Sequence, residues 1–195
     1  MASERDEAKR AALRTQMAPR ASERLSFVDE TSTHTAMTRR YARAPRGKQA
    51  YGCVPRNHGA NRSVIGALGL RGMIATRSVD GAVDTEVFET FVSQVLVPTL
   101  PPGDGVLLDN LTVPHASTIE QAVNAVGGTG KFLPSYSPDF SPIEPCWSKR
   151  KTFLRRCAAR TRVLLEDALT QALLTLSPED IRGWFQHCGY EVASR

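Results

Sequence analysis

Two short apolar runs that each end in an aspartate, and a glutamate at a helix start, constrain this chain more than any other feature. Asp29 closes the run from Leu25 to Val28, Asp109 closes the run from Gly105 to Leu108, and Glu144 lies in Ser-Pro-Ile-Glu. Short apolar runs bounded by turn residues read as buried strands. In an α/β fold, strand ends and helix starts can converge on one point. Three carboxylates meeting there repel one another unless a positive group offsets them. A divalent metal ion does this, and oxygen-only ligands favour Mg²⁺ or Mn²⁺.

The remaining pattern predicts a mixed sheet. Ser63 to Leu70 and Met73 to Val79 read as two strands joined at Arg71-Gly72, with a further turn at Asp80-Gly81. Asp84 to Val97 has helical spacing at Val87, Phe88, Phe91, Val95 and Leu96, and Pro98 stops it. Ser117 and Glu120 suggest a capping box for a helix ending at Gly127-Gly128. Lys131 to Leu133 reads as a short strand, and Pro134 to Pro142 as a loop. A basic helix runs from Pro142 or Pro145 to Ala159, a second from Val163 to Leu176, and a last short one is capped by Ser177 with Pro178 at its first position. The early strands can pair as an antiparallel meander. The later ones need crossover helices and are therefore parallel. The expected class is α/β, with helices on both faces.

The 195 residues suit one domain. No apolar run approaches the roughly 20 residues that span a bilayer, and the first ten residues lack the apolar core of a signal peptide. A cytoplasmic protein is expected, and no membrane partner. Cys53, Cys146, Cys157 and Cys188 are widely spaced, which predicts reduced packing thiols.

The net charge is +5, and its distribution is uneven. Thr31 to Val79 contains no acid but holds Arg39, Arg40, Arg43, Arg46, Lys48, Arg56, Arg62, Arg71 and Arg77. Pro145 to Leu165 is also acid-free and holds Lys149, Arg150, Lys151, Arg155, Arg156, Arg160 and Arg162. Such zones beside an acidic trio suit a phosphate backbone, with Arg39, Arg40, Arg43, Arg46, Lys48, Lys149, Lys151 and Arg155 as candidate DNA contacts. The plainer alternative is a solvated surface.

Each site residue also has a structural explanation. An Asp at a strand end can form a turn. Strand alternation lets only one of Asp29 and Glu30 face the site, and periodicity does not say which. Ser141 and Glu144 fit a capping box, but Pro145 then falls at the fourth helical position, where it lacks a needed donor. Asn110 and His115 are auxiliary candidates. Trp147 reads as core, three residues after Glu144.

Leu-Pro-Ser-Tyr-Ser-Pro-Asp-Phe-Ser-Pro-Ile-Glu-Pro-Cys-Trp-Ser-Lys-Arg-Lys resembles the third catalytic block of the mariner-like superfamily, and more closely the transposases of bacterial insertion sequences in that group. Phe-Val-Asp-Glu-Thr, followed by Met-Thr-Arg-Arg-Tyr-Ala-Arg-Ala-Pro-Arg-Gly, resembles the first block, and Leu-Leu-Asp-Asn-Leu the second. The interval between Asp109 and Glu144 is 34 residues (positions 110 to 143), as in that group. The resemblance implies an RNase H-like catalytic domain over residues 25–190 and a DDE triad of Asp29, Asp109 and Glu144 holding two Mg²⁺ or Mn²⁺ ions. The implied chemistry is cleavage at element ends in double-stranded DNA and joining to a TA-type target, by a homo-oligomer found with the bacterial nucleoid. Residues 1–24 then form an arm or linker remnant, with helix-turn-helix recognition either supplied by a separate N-terminal polypeptide or lost from a truncated copy. His115 stands six residues after Asp109 where the family commonly has five, and Ser135, Ser141, Pro145 and Arg150 also depart from the pattern. Two rival readings follow: an inactive remnant that only binds DNA, and another RNase H-like nuclease.

Overall fold

The computed structural model describes residues 6–17, 21–57, 59–109 and 116–193. Five strands form one sheet in the spatial order β3-β2-β1-β4-β5. These are β1 (Leu25–His34), β2 (Asn61–Gly69), β3 (Gly72–Asp80), β4 (Gly105–Leu108) and β5 (Thr129–Phe132). The first three pair antiparallel, whereas β1–β4 and β4–β5 pair parallel. The meander followed by parallel strands is thus present, flanked by helices, as in RNase H-like folds.

Strand alternation divides the core in two. One face carries Leu25, Phe27, Val64, Leu68 and Leu107. It is covered by α1 (Glu7–Met17), α4 (Ile143–Cys157), α5 (Arg162–Leu174) and α6 (Pro178–His187), through residues such as Leu13, Trp147, Leu169 and Phe185. The other face carries Val28, Ile65, Ala67, Val106 and Leu108, under α2 (Thr85–Phe91) and α3 (Ala116–Ala125). Among the described residues no helix is long and apolar enough to cross a membrane. Of the four free cysteines, Cys146 and Cys188 pack in the interior, whereas Cys53 and Cys157 are exposed rather than packed.

Several elements differ from the sequence expectation. β1 continues past Val28 to His34, because Thr31 and Thr33 are buried beside Val64 and Arg62 of β2 although their side chains are polar. Asp84 caps α2 by accepting from the Val87 amide, but after Phe91 the coil widens to a π turn and tightens to a 3₁₀ turn at Val97–Thr99. Ser117 lies inside α3 rather than at its cap.

The start of α4 settles the Pro145 difficulty. The cap position is Pro142, with Ile143 first, Glu144 second and Pro145 third in the helix. The first four helical amides have no partner within the helix, so Pro145 removes no hydrogen bond. Glu144 is not part of a capping box, and Ser141 offers only its carbonyl, to the Glu144 amide at 3.1 Å. Ser177 does cap α6, through a reciprocal box with Asp180.

Candidate active site

The parallel seam between β1 and β4 sets the first two carboxylates side by side. Val28 pairs with Leu108, the last residue of β4, and the Asp109 amide donates to the Val28 carbonyl at 3.3 Å. Asp29 and Asp109 therefore follow in register on neighbouring chains, about 4.8 Å apart at the backbone. Asp29 does not end its strand, as the apolar run suggested. It lies mid-strand at the point where its parallel neighbour stops, opposite Gly66 of β2.

Alternation also resolves the choice between Asp29 and Glu30. Asp29 shares the face of Leu25 and Phe27, which α4 covers, whereas Glu30 shares the face of Val28. Only Asp29 thus looks toward Glu144, which projects from the first turn of α4. Asp109, two residues after Leu107, continues on that same face.

Burial separates the acids. Asp29 is 8% exposed, while Asp109 and Glu144 are exposed. Burial pushes the Asp29 carboxyl up to about 7, against the Glu30 amide, which favours its charged form; the charges of Glu144 and Asp109 raise it further. Glu144 is also raised, by burial and then by Asp109, with Lys151 pulling the other way. Glu30 is raised by burial and by Asp109. The three acids thus sense one another. Among the described residues, however, no three His, Cys, Asp or Glu side chains are arranged to hold a metal ion.

Trp147 closes the site from the helix side. A Cβ on Gly66 would stand 2.7 Å from the Trp147 ring at Cη2, so the indole occupies the space that only glycine leaves. Among the described residues the buried indole N–H has no hydrogen-bond partner, yet it lies near enough to Asp29 to favour its charged form. Gly66 was not singled out from the sequence; a glycine inside a strand run was the available signal. Arg150 was counted there among surface cations. It is 3% exposed, with its Cζ 4.8 Å from the Trp147 ring centroid.

The candidate DNA contacts divide into two groups. Arg39, Arg40, Arg43, Arg46 and Lys48 lie on an exposed irregular segment between β1 and β2. Arg155 of α4 is close enough to Arg40 for the two charges to oppose each other. Lys151 lies near Glu144. Lys149 instead pairs with Asp180 and joins α4 to α6. Two cations of the acid-free zones are likewise structural. Arg62 pairs with Asp80 and Glu166, and Arg160 donates to the carbonyls of Thr35 and Met37 at 2.8 and 3.0 Å. Asn110 and His115 fall outside the described residues.

The family model of the DDE superfamily endonucleases matches residues 24–164. Comparison with curated proteins gave no match. Among solved structures, a Mos1 transposase paired-end complex with the left transposon end superposes with a TM-score of 0.76 at 13% identity, covering 95% of this chain and 58% of that one. A Mos1 mariner paired-end complex with Mn gives 0.74 at 15% identity, with coverage of 95% and 59%. The Mos1 catalytic domain with raltegravir and Mg gives 0.62 at 11% identity, with coverage of 95% and 90%. This chain thus spans a little under three fifths of the two longer Mos1 chains. With a sheet of this order and a family match over most of its length, the chain belongs to the DDE superfamily endonucleases.

Proposed function

We propose that this protein is the catalytic part of a transposase, cutting DNA and joining the cut end to a target in insertion-sequence transposition. The observation that carries the reading is the convergence of Asp29, Asp109 and Glu144 where the β1–β4 seam meets the first turn of α4.

The chemistry of the donor set suits a hard divalent cation, three carboxylates whose charges oppose one another with no sulfur or imidazole among the described donors, although the three side chains are not drawn together to ligating distance. Asp29, Asp109 and Glu144 would hold Mg²⁺ or Mn²⁺, two ions per site. Such ions lower the pKa of an attacking water or hydroxyl and stabilise the leaving oxygen of an in-line displacement. The chain's own groups prepare the site. Asp29, whose carboxyl burial pushes up to about 7, would be held in its ionised form by a bound cation. Trp147 and Gly66 exclude water from its inner side, and Lys151 draws Glu144 toward its charged form.

Double-stranded DNA is the proposed partner, at element ends and at a TA-type target. Arg40 and Arg155, close enough for their charges to oppose each other, suit a shared phosphate. A homo-oligomer on DNA completes the proposed assembly.

The test uses a duplex with a recessed 3′-hydroxyl end and a supercoiled target in Mg²⁺. Joined products are expected from the wild type, and none from Glu144→Gln, which should still retain the duplex on a filter. Retention by both proteins without any joined or cut product favours the DNA-binding remnant. Preferential cutting of an RNA–DNA hybrid favours another RNase H-like nuclease.

A further inference from the structure

Helix α1 lies before the segment that the family model matches, yet it reaches the loop that delivers Glu144. Its Leu13 and Met17 are buried in the cluster that holds Phe27 and Trp147. Arg10, on the same helix face, is 2% exposed, although arginine is almost never buried unless paired. Its partner is Asp139 of the Ser-Pro-Asp-Phe-Ser-Pro block. The contact is two-pronged, Nη1 to Oδ1 at 3.0 Å and Nη2 to Oδ2 at 2.6 Å. The Arg10 Cζ also stands 4.1 Å from the Phe140 ring centroid, and the Arg14 Cζ 4.7 Å from the same ring.

From this clamp a short path leads to the site. Phe140 ends a 3₁₀ turn, and the Ser141 amide donates to the Pro138 carbonyl at 3.0 Å. The Glu144 amide in turn donates to the Ser141 carbonyl at 3.1 Å. The Phe140 carbonyl accepts from the Tyr190 hydroxyl at 2.8 Å, and the Tyr190 ring packs edge-on against Phe27, two residues before Asp29. The loop is therefore held from α1 on one side and from the Asp29 strand on the other.

We propose that Arg10 is a positioning residue for the Glu144 carboxylate, acting through Asp139 and Phe140. This rests on the reading that Glu144 serves the metal site. It gives a task to the aspartate of the Ser-Pro-Asp block, and it makes α1 a working part of the catalytic unit. The forked geometry matters as well as the charge, because only a planar guanidinium can meet both carboxylate oxygens while lying over a ring.

The test compares the wild-type chain with Arg10→Gln, Arg10→Lys, Leu13→Ala and Glu144→Gln, each metal-free and then titrated with Mn²⁺ by calorimetry. Amide hydrogen exchange is followed over residues 135–147. Loss of the fork in Arg10→Gln should speed exchange in that segment about 10-fold and weaken Mn²⁺ binding by a similar factor. Arg10→Lys, which keeps the charge without the fork, should fall between it and the wild type. Leu13→Ala removes packing from the same helix and should lower Tm without the local exchange change. The proposal is overturned if exchange over 135–147 in Arg10→Gln matches the wild type. It is equally overturned if Leu13→Ala, at equal loss of Tm, reproduces both changes. If Glu144→Gln binds Mn²⁺ as tightly as the wild type, the reading of Glu144 itself fails, whatever Arg10 does. If Glu144→Gln weakens binding and Arg10→Gln does not, only the positioning role fails.

Discussion

At the scale of single residues, Asp29 sets function against stability. Its folded pKa, pushed up to about 7 chiefly by burial, lies above the ordinary carboxylate value of 3.8. A raised acid contributes stability that is fully present at low pH and is lost as pH rises through the folded value. The metal-free protein should therefore lose stability between about pH 4 and pH 7, by an amount on the order of 4 kcal/mol at full ionisation. Asp29→Asn mimics the neutral form, so its Tm in EDTA should fall less steeply over that range, keeping only the smaller loss from Glu30 and Glu144, and be higher than that of the wild type at pH 8. A wild-type Tm that rises across the same range would contradict the assignment. Gly66 carries the second residue-level prediction. Gly66→Ala places a methyl 2.7 Å from the rigid Trp147 ring, so overpacking should cost about 1–3 kcal/mol, read as a lower urea midpoint at unchanged m. Neither prediction could be drawn from the sequence, where Asp29 and Glu30 were equally placed and Gly66 was one glycine among many.

At the scale of elements, the sequence pattern served best where side-chain chemistry and burial agree. The β2–β3 hairpin, the four-residue β4 strand and the Ser177 cap were all legible, because apolar runs, turn glycines and capping residues each carry one meaning. It served worst where polar residues are buried. Threonines extend β1 beyond its apolar run, and the start of α4 followed backbone geometry rather than a side-chain cap. Charge counting had the same weakness. Arg150 is buried, and Lys149, Arg62 and Arg160 are engaged within the protein, so the acid-free zones overstate the cations available to a ligand. This division predicts unequal roles in DNA binding. Neutralising Arg39, Arg40, Arg43, Arg46 and Lys48 together should reduce the magnitude of the slope of log affinity against log salt by up to about 4.5, near 0.9 per lost phosphate contact. Lys149→Ala should leave that slope unchanged and cost no more than about 1 kcal/mol of stability through its pair with Asp180. Equal slope losses per charge at both sites would show that the pairing does not hold in solution.

At the scale of the whole molecule, the sheet order explains how distant residues form one site. The crossover from the antiparallel meander to the parallel strands places β1 at the centre, so Asp29 is adjacent both to Asp109, the residue after β4, and to the helix that packs over β1. The 34-residue interval between Asp109 and Glu144 is the length needed to leave β4, cross through α3 and β5, and return over the other face at α4. The basic segment between β1 and β2 emerges from the same central strand, with its base tied to the chain just beyond α4 by Arg160. Strand order, spacing and charge therefore lead to the same central claim, a metal-dependent site for cutting DNA built from Asp29, Asp109 and Glu144. The most direct measurement is nicking of supercoiled plasmid by the wild type and Asp109→Asn, in Mg²⁺ or Mn²⁺ and in EDTA, with folding and DNA binding verified for both. The account predicts nicking by the wild type only when metal is present, and its loss in the variant. Metal-dependent nicking by Asp109→Asn at the wild-type rate would contradict it.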